Sequence, residues 1–201
     1  HYLFLGDASA ASPWPTLHGS VGAIVTTFLV IPIVSKMAQK YGKKETFIVS
    51  QSISIIGYIL FWFLFIPGKP YMFLFALPFF SFGIGGLFTL MMSMTADTCD
   101  YEELENGLPR KEGSFGAIYW WMVKLGTALA GLLSGLIMYY VGFAADAASQ
   151  PDGALTGLRI AYSTIPIIGT LIAIYVMSDY EINENRAEEI RTQLNERKGE
   201  M

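Results

Sequence analysis

Apolar residues run almost uninterrupted through five stretches of this 201-residue chain, 17–37, 47–66, 71–96, 114–143 and 158–177, and polar residues gather between them. Each stretch reaches the roughly 20 residues that an α-helix needs to cross the hydrocarbon core of a bilayer. Without water there to satisfy backbone N–H and C=O groups, such stretches form helices, so the pattern predicts an all-α membrane protein with five spanning helices. Proline falls inside three of them, at Pro32, Pro78 and Pro166, which predicts kinks. Residues 1–16 read as an extracellular loop and the remnant of a preceding helix. The tail from 179 to 201, which contains EINENRAEEIRTQLNERK, is polar and helix-prone and reads as a solvated or surface-lying segment.

The connections sort by charge. Lys36, Lys40, Lys43 and Lys44 lie around the first connection, Arg110 and Lys111 in the third, and Arg186, Arg191, Arg197 and Lys198 in the tail, all on one side of the membrane. The other side holds only Lys69 and Arg159. The excess of basic residues on the cytoplasmic face of membrane proteins predicts that the first group and the C-terminus are cytoplasmic. Composition agrees with a membrane protein, at 53% hydrophobic, 14% aromatic and only 15% charged residues with a mean hydropathy of +0.43. A net charge of −4 offers no basic surface for nucleic acid, and the single cysteine, Cys99, excludes an internal disulfide. The opening HYLFLG lacks the basic segment and cleavage site of a signal peptide. Five spans beginning in mid-element predict one half of a two-lobed transporter, since helical transporters are built from repeats that enclose a midplane site.

Lys124 is the one charged side chain within 114–143. A lysine at the centre of a spanning helix costs roughly 2.5 to 3.5 kcal/mol, so it needs a carboxylate or a wet cavity, or must snorkel to the interface. No other span carries a deep charge, which puts its partner elsewhere. Helical spacing places Ala117, Trp120, Lys124, Thr127, Gly131 and Gly135 on one stripe. An ammonium, an indole and a hydroxyl on one face suit a sugar-sized solute, because aromatic rings stack on pyranose faces while polar groups hold the hydroxyls. The plainer alternatives are an interfacial belt for Trp120 and Trp121 and close helix packing for Gly131 and Gly135.

In the third span, Gly83, Gly85 and Gly86 leave room either for a neighbouring helix or for a ligand. That span ends in MTADTCDYEELE, where Asp97 and Asp100 share a face and Glu102, Glu103 and Glu105 follow. A metal site has no histidine to draw on here. Salt bridges to Arg110 and Lys111, acting as a gate, fit the acids better, and a solvated acidic loop is the bland alternative. The segment SKMAQKYGKKETF is either a basic turn with Gly42 left-handed or something more specific. Its Ser35, Gln39, Lys40, Gly42, Lys43 and Lys44 resemble the loop signature of the major facilitator superfamily, with Gln39 standing where that signature has an acid.

The run ADTCDYEELENGLPRKEGSFGAIYWWMVKLGTALAGLLSG resembles the loop and penultimate helix of the glycoside-pentoside-hexuronide:cation symporters, the melibiose permease-like group of the major facilitator superfamily. The earlier spans agree in number, order and loop charge. The resemblance implies a C-terminal helical bundle of that superfamily, with these spans as the last five of twelve helices and the cation-binding acids in the N-terminal half. It implies that Lys124 faces the cation and sugar pocket, that Tyr119, Trp120 and Phe88 line it, and that Asp97, Asp100 and Arg110 close the inward gate. The function implied is symport of a sugar or glycoside with sodium or a proton, without a cofactor or resident metal. The protein would lie in the lipid of a bacterial inner membrane against its own N-terminal half. A lysolipid-like substrate, a metal-dependent membrane enzyme using Asp97 and Asp100, and a purely structural subunit are the other classes left open.

Overall fold

The computed structural model describes residues 7–107, 109–144, 147, 150–151 and 153–199, and the expected helix remnant at residues 1–6 lies outside them. Among the described residues the chain is helical and has no strand. Helices α1 (Ala8–Ala11), α2 (Trp14–Val25), α3 (Ile31–Tyr41), α4 (Lys43–Leu64), α5 (Leu77–Asn106), α6 (Glu112–Tyr140), α7 (Ala154–Ser178) and α8 (Glu184–Gly199) follow in order. Five helical rods are long and apolar enough to cross a membrane, namely Ser9–Tyr41, α4, Met72–Asn106, α6 and α7. The chain is an integral membrane protein.

The first rod starts earlier than the hydrophobic pattern predicts. Asp7 caps α1, its Oδ1 accepting from the Ser9 and Ala10 amides at 3.0 Å, and α2 begins at Trp14, so residues 14–16 are helix and not loop. Between α2 and α3 the helix widens by one π-type turn, Thr26–Val30, immediately before Pro32. Proline has no N–H to donate and its ring crowds the carbonyl four residues back, and the wider turn absorbs both effects. Pro78 likewise sits in the first turn of α5, after a 3-10 segment, Met72–Ala76. Only Pro166 lies inside a continuous helix, α7.

The basic connection between the first two rods shrinks to Gly42. Its φ of 91° and ψ of 161° lie in extended positive-φ space that is essentially restricted to glycine, not in the left-handed helical region that a simple turn predicts. Lys43 and Lys44 therefore stand on the first turn of α4, and the Gly42 carbonyl accepts from the Thr46 amide and hydroxyl at 3.2 and 2.6 Å.

Small residues weld α4 to α5. A Cβ added at Gly83 would stand 2.7 Å from Ser54 Cβ, one at Gly86 2.7 Å from Ser50 Cβ, and one at Gly57 2.8 Å from the Phe80 amide nitrogen. Gly85 packs in the same way against Val30. This is helix association by backbone approach, the interaction available where lipid and side chains are equally apolar. The three glycines of SFGIGGLF are thus contact points between helices. Gln51 crosses the seam to donate to the Gly83 carbonyl at 2.9 Å. Val30, Val34, Phe47, Leu90, Met94 and Met177 close a buried core beside it.

α6 differs from every other rod because none of its residues is buried. No atom lies within 4 Å of a Cβ built on Gly131 or Gly135, so these two make no close helix contact among the described residues. The tail also departs from expectation. α8 does not lie free, since Ala187, Ile190 and Leu194 are buried.

The seam yields a prediction. Gly83→Val forces a branched side chain into Ser54 and is expected to cost about 1 to 3 kcal/mol, read as a drop of several degrees in the thermal midpoint of the detergent-solubilised protein. An unchanged midpoint would contradict the α4–α5 contact.

Candidate functional site

The charged and polar candidates of the sequence fall in two places, a charged end of the bundle and a stripe along α6. At the charged end, α5 continues helically beyond Ala96 and carries Asp97, Asp100, Glu102, Glu103 and Glu105 on its last turns. Acids at a helix C-terminus oppose the helix dipole, so cations must offset them. Five do. Asp97, only 4% exposed, is paired on one side with Lys43 from the first turn of α4 and on the other with Arg191 of α8, whose Nη2 donates to Oδ1 at 2.8 Å. Lys198 of α8 reaches Glu103 at 3.0 Å, Lys111 reaches Glu102, and Arg110 Nε lies 3.4 Å from Asp100. α5 then ends at Gly107, left-handed at φ 64°.

Lys44 extends the same network to α7, donating to the Ser178 and Tyr180 carbonyls at 2.6 and 2.9 Å. The Tyr180 phenol, beyond the end of α7, is pushed up to about 12 by burial and then by the charge of Asp97. The Arg191 guanidinium is raised by its hydrogen bond to Asp97. The Asp97 carboxylate thus joins the start of α4 and the last turns of α5 to the tail helix, and Lys44 beside it adds the end of α7.

The predicted gate residues therefore sort differently from their order in the sequence. Arg110 lies 3.4 Å from Asp100 and 3.8 Å from Glu112, whereas Asp97 meets neither Arg110 nor Lys111 in any ion pair among the described residues. Sequence reasoning missed Lys43 and Arg191 as the Asp97 partners. The signal was present, since Ala187, Ile190 and Leu194 repeat at helical spacing in the tail with Arg191 beside them. The two aspartates are occupied by cations, and among the described residues no three His, Cys, Asp or Glu side chains gather as a metal-ligand set.

On α6, Lys124 stands twelve residues past Glu112, about 18 Å along the helix at 1.5 Å per residue. Its side chain is exposed and makes no hydrogen bond or ion pair among the described residues. Trp120 lies one turn before it, 49% exposed, and meets the half-buried Tyr119 edge to face, with ring centroids 5.3 Å apart. Thr127 is on the same face, but its hydroxyl donates to the Val123 carbonyl at 2.9 Å, leaving it free to accept. Phe88 is exposed on α5 and makes no ring contact with these side chains among the described residues. The structure thus groups Tyr119, Trp120, Lys124 and Thr127 on one uncovered helix. The stripe presents a cation, an indole ring and a hydroxyl acceptor, with Tyr119 round the helix against the edge of Trp120, a set suited to a polyhydroxylated solute or a carboxylate.

Comparison with known proteins gives these features a family. Residues 3–184 match the family described as MFS/sugar transport protein. The chain is 29% identical over 87% of its length to a glucuronide carrier protein homolog of Escherichia coli, covering 38% of that protein. It is 27% identical over 92% of its length to an uncharacterized symporter of Bacillus subtilis, covering 38% of it, and 26% identical over 82% to an isoprimeverose transporter of Lactiplantibacillus pentosus, covering 34%. The chain thus spans less than two-fifths of the length of these relatives. The matching family consists of transporters and symporters, not enzymes. This chain, helical among its described residues with five candidate spans and matched over nearly its whole length, belongs to the MFS/sugar transport protein family, as a glycoside-pentoside-hexuronide:cation symporter-like member of the major facilitator superfamily.

Proposed function

We propose that this chain is the C-terminal lobe of a secondary active transporter that moves a sugar or glycoside together with sodium or a proton by alternating access, with its C-terminus in the cytoplasm. The observation that carries the reading is α6, a 29-residue apolar helix with no buried residue and an ammonium group near its middle. A cation at that depth is held by carboxylates or water. Carboxylates of the N-terminal lobe, across the central crevice, are the partners this reading assigns to Lys124. The names of two relatives, a glucuronide carrier homolog and an isoprimeverose transporter, support a glycoside or sugar-acid substrate.

In this mechanism the coupling cation and Lys124 compete for the same carboxylates. When the cation binds, Lys124 is released and can donate to a sugar hydroxyl, while the Tyr119–Trp120 pair offers an aromatic wall and Phe88 a second one from α5. The loaded pocket then has balanced charge, and the lobes rock to the opposite opening. At the cytoplasmic end, Arg110 is the exchangeable member of the gate. Its 3.4 Å contact with Asp100 and its neighbour Glu112 offer two acids within reach, whereas buried Asp97 keeps the helix ends of this lobe moving as one body.

Two outcomes follow. Lys124→Ala in the full-length transporter is expected to abolish accumulation of labelled sugar against a gradient, by tenfold or more, while exchange across a preloaded vesicle persists. Accumulation at the level of the unmodified protein would count against the role. Asp97→Asn leaves Lys43 and Arg191 without their shared anion and is expected to cost about 2 kcal/mol, less than for a fully buried pair because Arg191 is half exposed. The loss should appear as faster hydrogen exchange across residues 187–194, and unaltered protection there would overturn the bracing role of Asp97.

A further inference from the structure

The end of the bundle opposite the acids carries a cation at a fixed place on an apolar wall. Arg159 lies five residues after Ala154 at the start of α7, about 8 Å along the helix, and Trp62 lies two residues before the end of α4. The Arg159 guanidinium sits over the Trp62 ring, 4.6 Å from its centroid, and Nη2 donates to the Trp62 carbonyl at 2.8 Å. Stacking and hydrogen bond together hold the guanidinium at one depth. That depth, near the ends of two spanning helices, is where tryptophan and arginine meet lipid headgroups.

Beside this pair, α4 and α7 part to leave a cleft of about 290 Å³. Phe61, Trp62 and Phe65 wall it on α4, and Leu155, Leu158 and Tyr162 wall it on α7, with Arg159 in the lining. The floor is preformed, because Phe61 is buried and its ring meets those of Tyr162 and Phe65 at centroid separations of 5.2 and 5.9 Å. A wall already ordered costs less to bind against than one that must be ordered on binding. An apolar cleft with a cation in its lining is complementary to an amphiphile that carries an anion at one end. The guanidinium has five N–H donors in a fork matched to phosphate, so serving the Trp62 carbonyl is compatible with holding a phosphate oxygen as well. Inorganic phosphate would make no use of the aromatic wall, and a neutral hydrocarbon would make none of the guanidinium.

We infer that this cleft is a phospholipid site, in which the lipid phosphate lies on Arg159 and one acyl chain lies between Phe61 and Phe65 of α4 and Leu158 and Tyr162 of α7. The lipid belongs to the leaflet opposite the charged end of the bundle. The inference rests on the membrane-spanning helices and not on the transport reading, and it distinguishes this position from lipid in passing contact with other faces of α4 and α7.

The test reconstitutes the full-length protein in vesicles of phosphatidylethanolamine and phosphatidylglycerol that carry a trace of photoreactive lipid, followed by illumination and mass-spectrometric peptide mapping. Two probes share one diazirine-bearing acyl chain, a phosphatidylglycerol and a diacylglycerol that lacks the phosphate. The phosphatidylglycerol probe is expected to label segments 61–65 and 155–162 about fivefold more than the diacylglycerol does. Arg159→Gln is expected to abolish that difference, and Arg159→Lys to retain part of it. Leu158→Trp fills the cleft with Arg159 in place and is expected to lower phosphatidylglycerol adducts on Phe61 and Phe65. Equal labelling by the two probes means passing lipid only and overturns the inference. Labelling displaced by inorganic phosphate, a cleft that stays unlabelled because another segment of the polypeptide covers it, or an unchanged ratio in Arg159→Gln overturns it too. Should Arg159→Gln fail to fold, the ratio in the unmodified protein and the Leu158→Trp result decide.

Discussion

The rest of this structure depends on a buried carboxylate near the acidic end of a helix. Asp97 sits two and a half turns before the end of α5, is almost sealed from solvent, and is followed by four more acids that run into the last turn, where the helix dipole is negative. Such a helix end is stable only if cations converge on it. Lys43 arrives because Gly42 turns the chain in a single residue, and Arg191 arrives because the tail folds back. The charge requirement therefore dictates connectivity. It brings the α3–α4 corner, the end of α5 and the tail helix to one place, while Lys44 ties in the end of α7.

Away from that end, packing replaces charge. Ser50, Ser54 and Gly57 of α4 meet Gly86, Gly83 and the start of α5 so closely that a single methyl group would collide. Lipid provides no hydrophobic drive for helices to associate, so contact depends on dispersion between backbones that approach closely. The interlock joins α4 and α5 backbone to backbone. Among the described residues α6 has no comparable contact, and a Cβ built on its glycines meets nothing within 4 Å.

Much of this was legible in the amino-acid pattern. Five apolar runs of spanning length, separated by sorted charges, identify the helices and their alternation, because the absence of water in a bilayer core leaves a helix as the only way to satisfy the backbone. The lone lysine at position 124 and its neighbours Trp120 and Thr127 were visible for the same reason, since helical periodicity alone puts them on one face. Helix ends were less legible. Trp14–Thr16 start α2 behind Pro13 with Pro15 in the first turn, and the acid-rich 97–106 segment is held by distant cations, neither of which a hydropathy pattern contains.

Sequence alone determined which segments cross the membrane and which face of α6 is polar, because both follow from local periodicity and the cost of burying unsatisfied groups. Tertiary structure alone decided that Asp97 pairs with Lys43 and Arg191 and not with the basic residues nearest in the chain. It also decided that Gly83 and Gly86 are contact points while Gly131 and Gly135 are not. The physical reason is the same in each case. A charge or a glycine carries no record of its partner, and its meaning is set by which backbone arrives within a few ångströms of it.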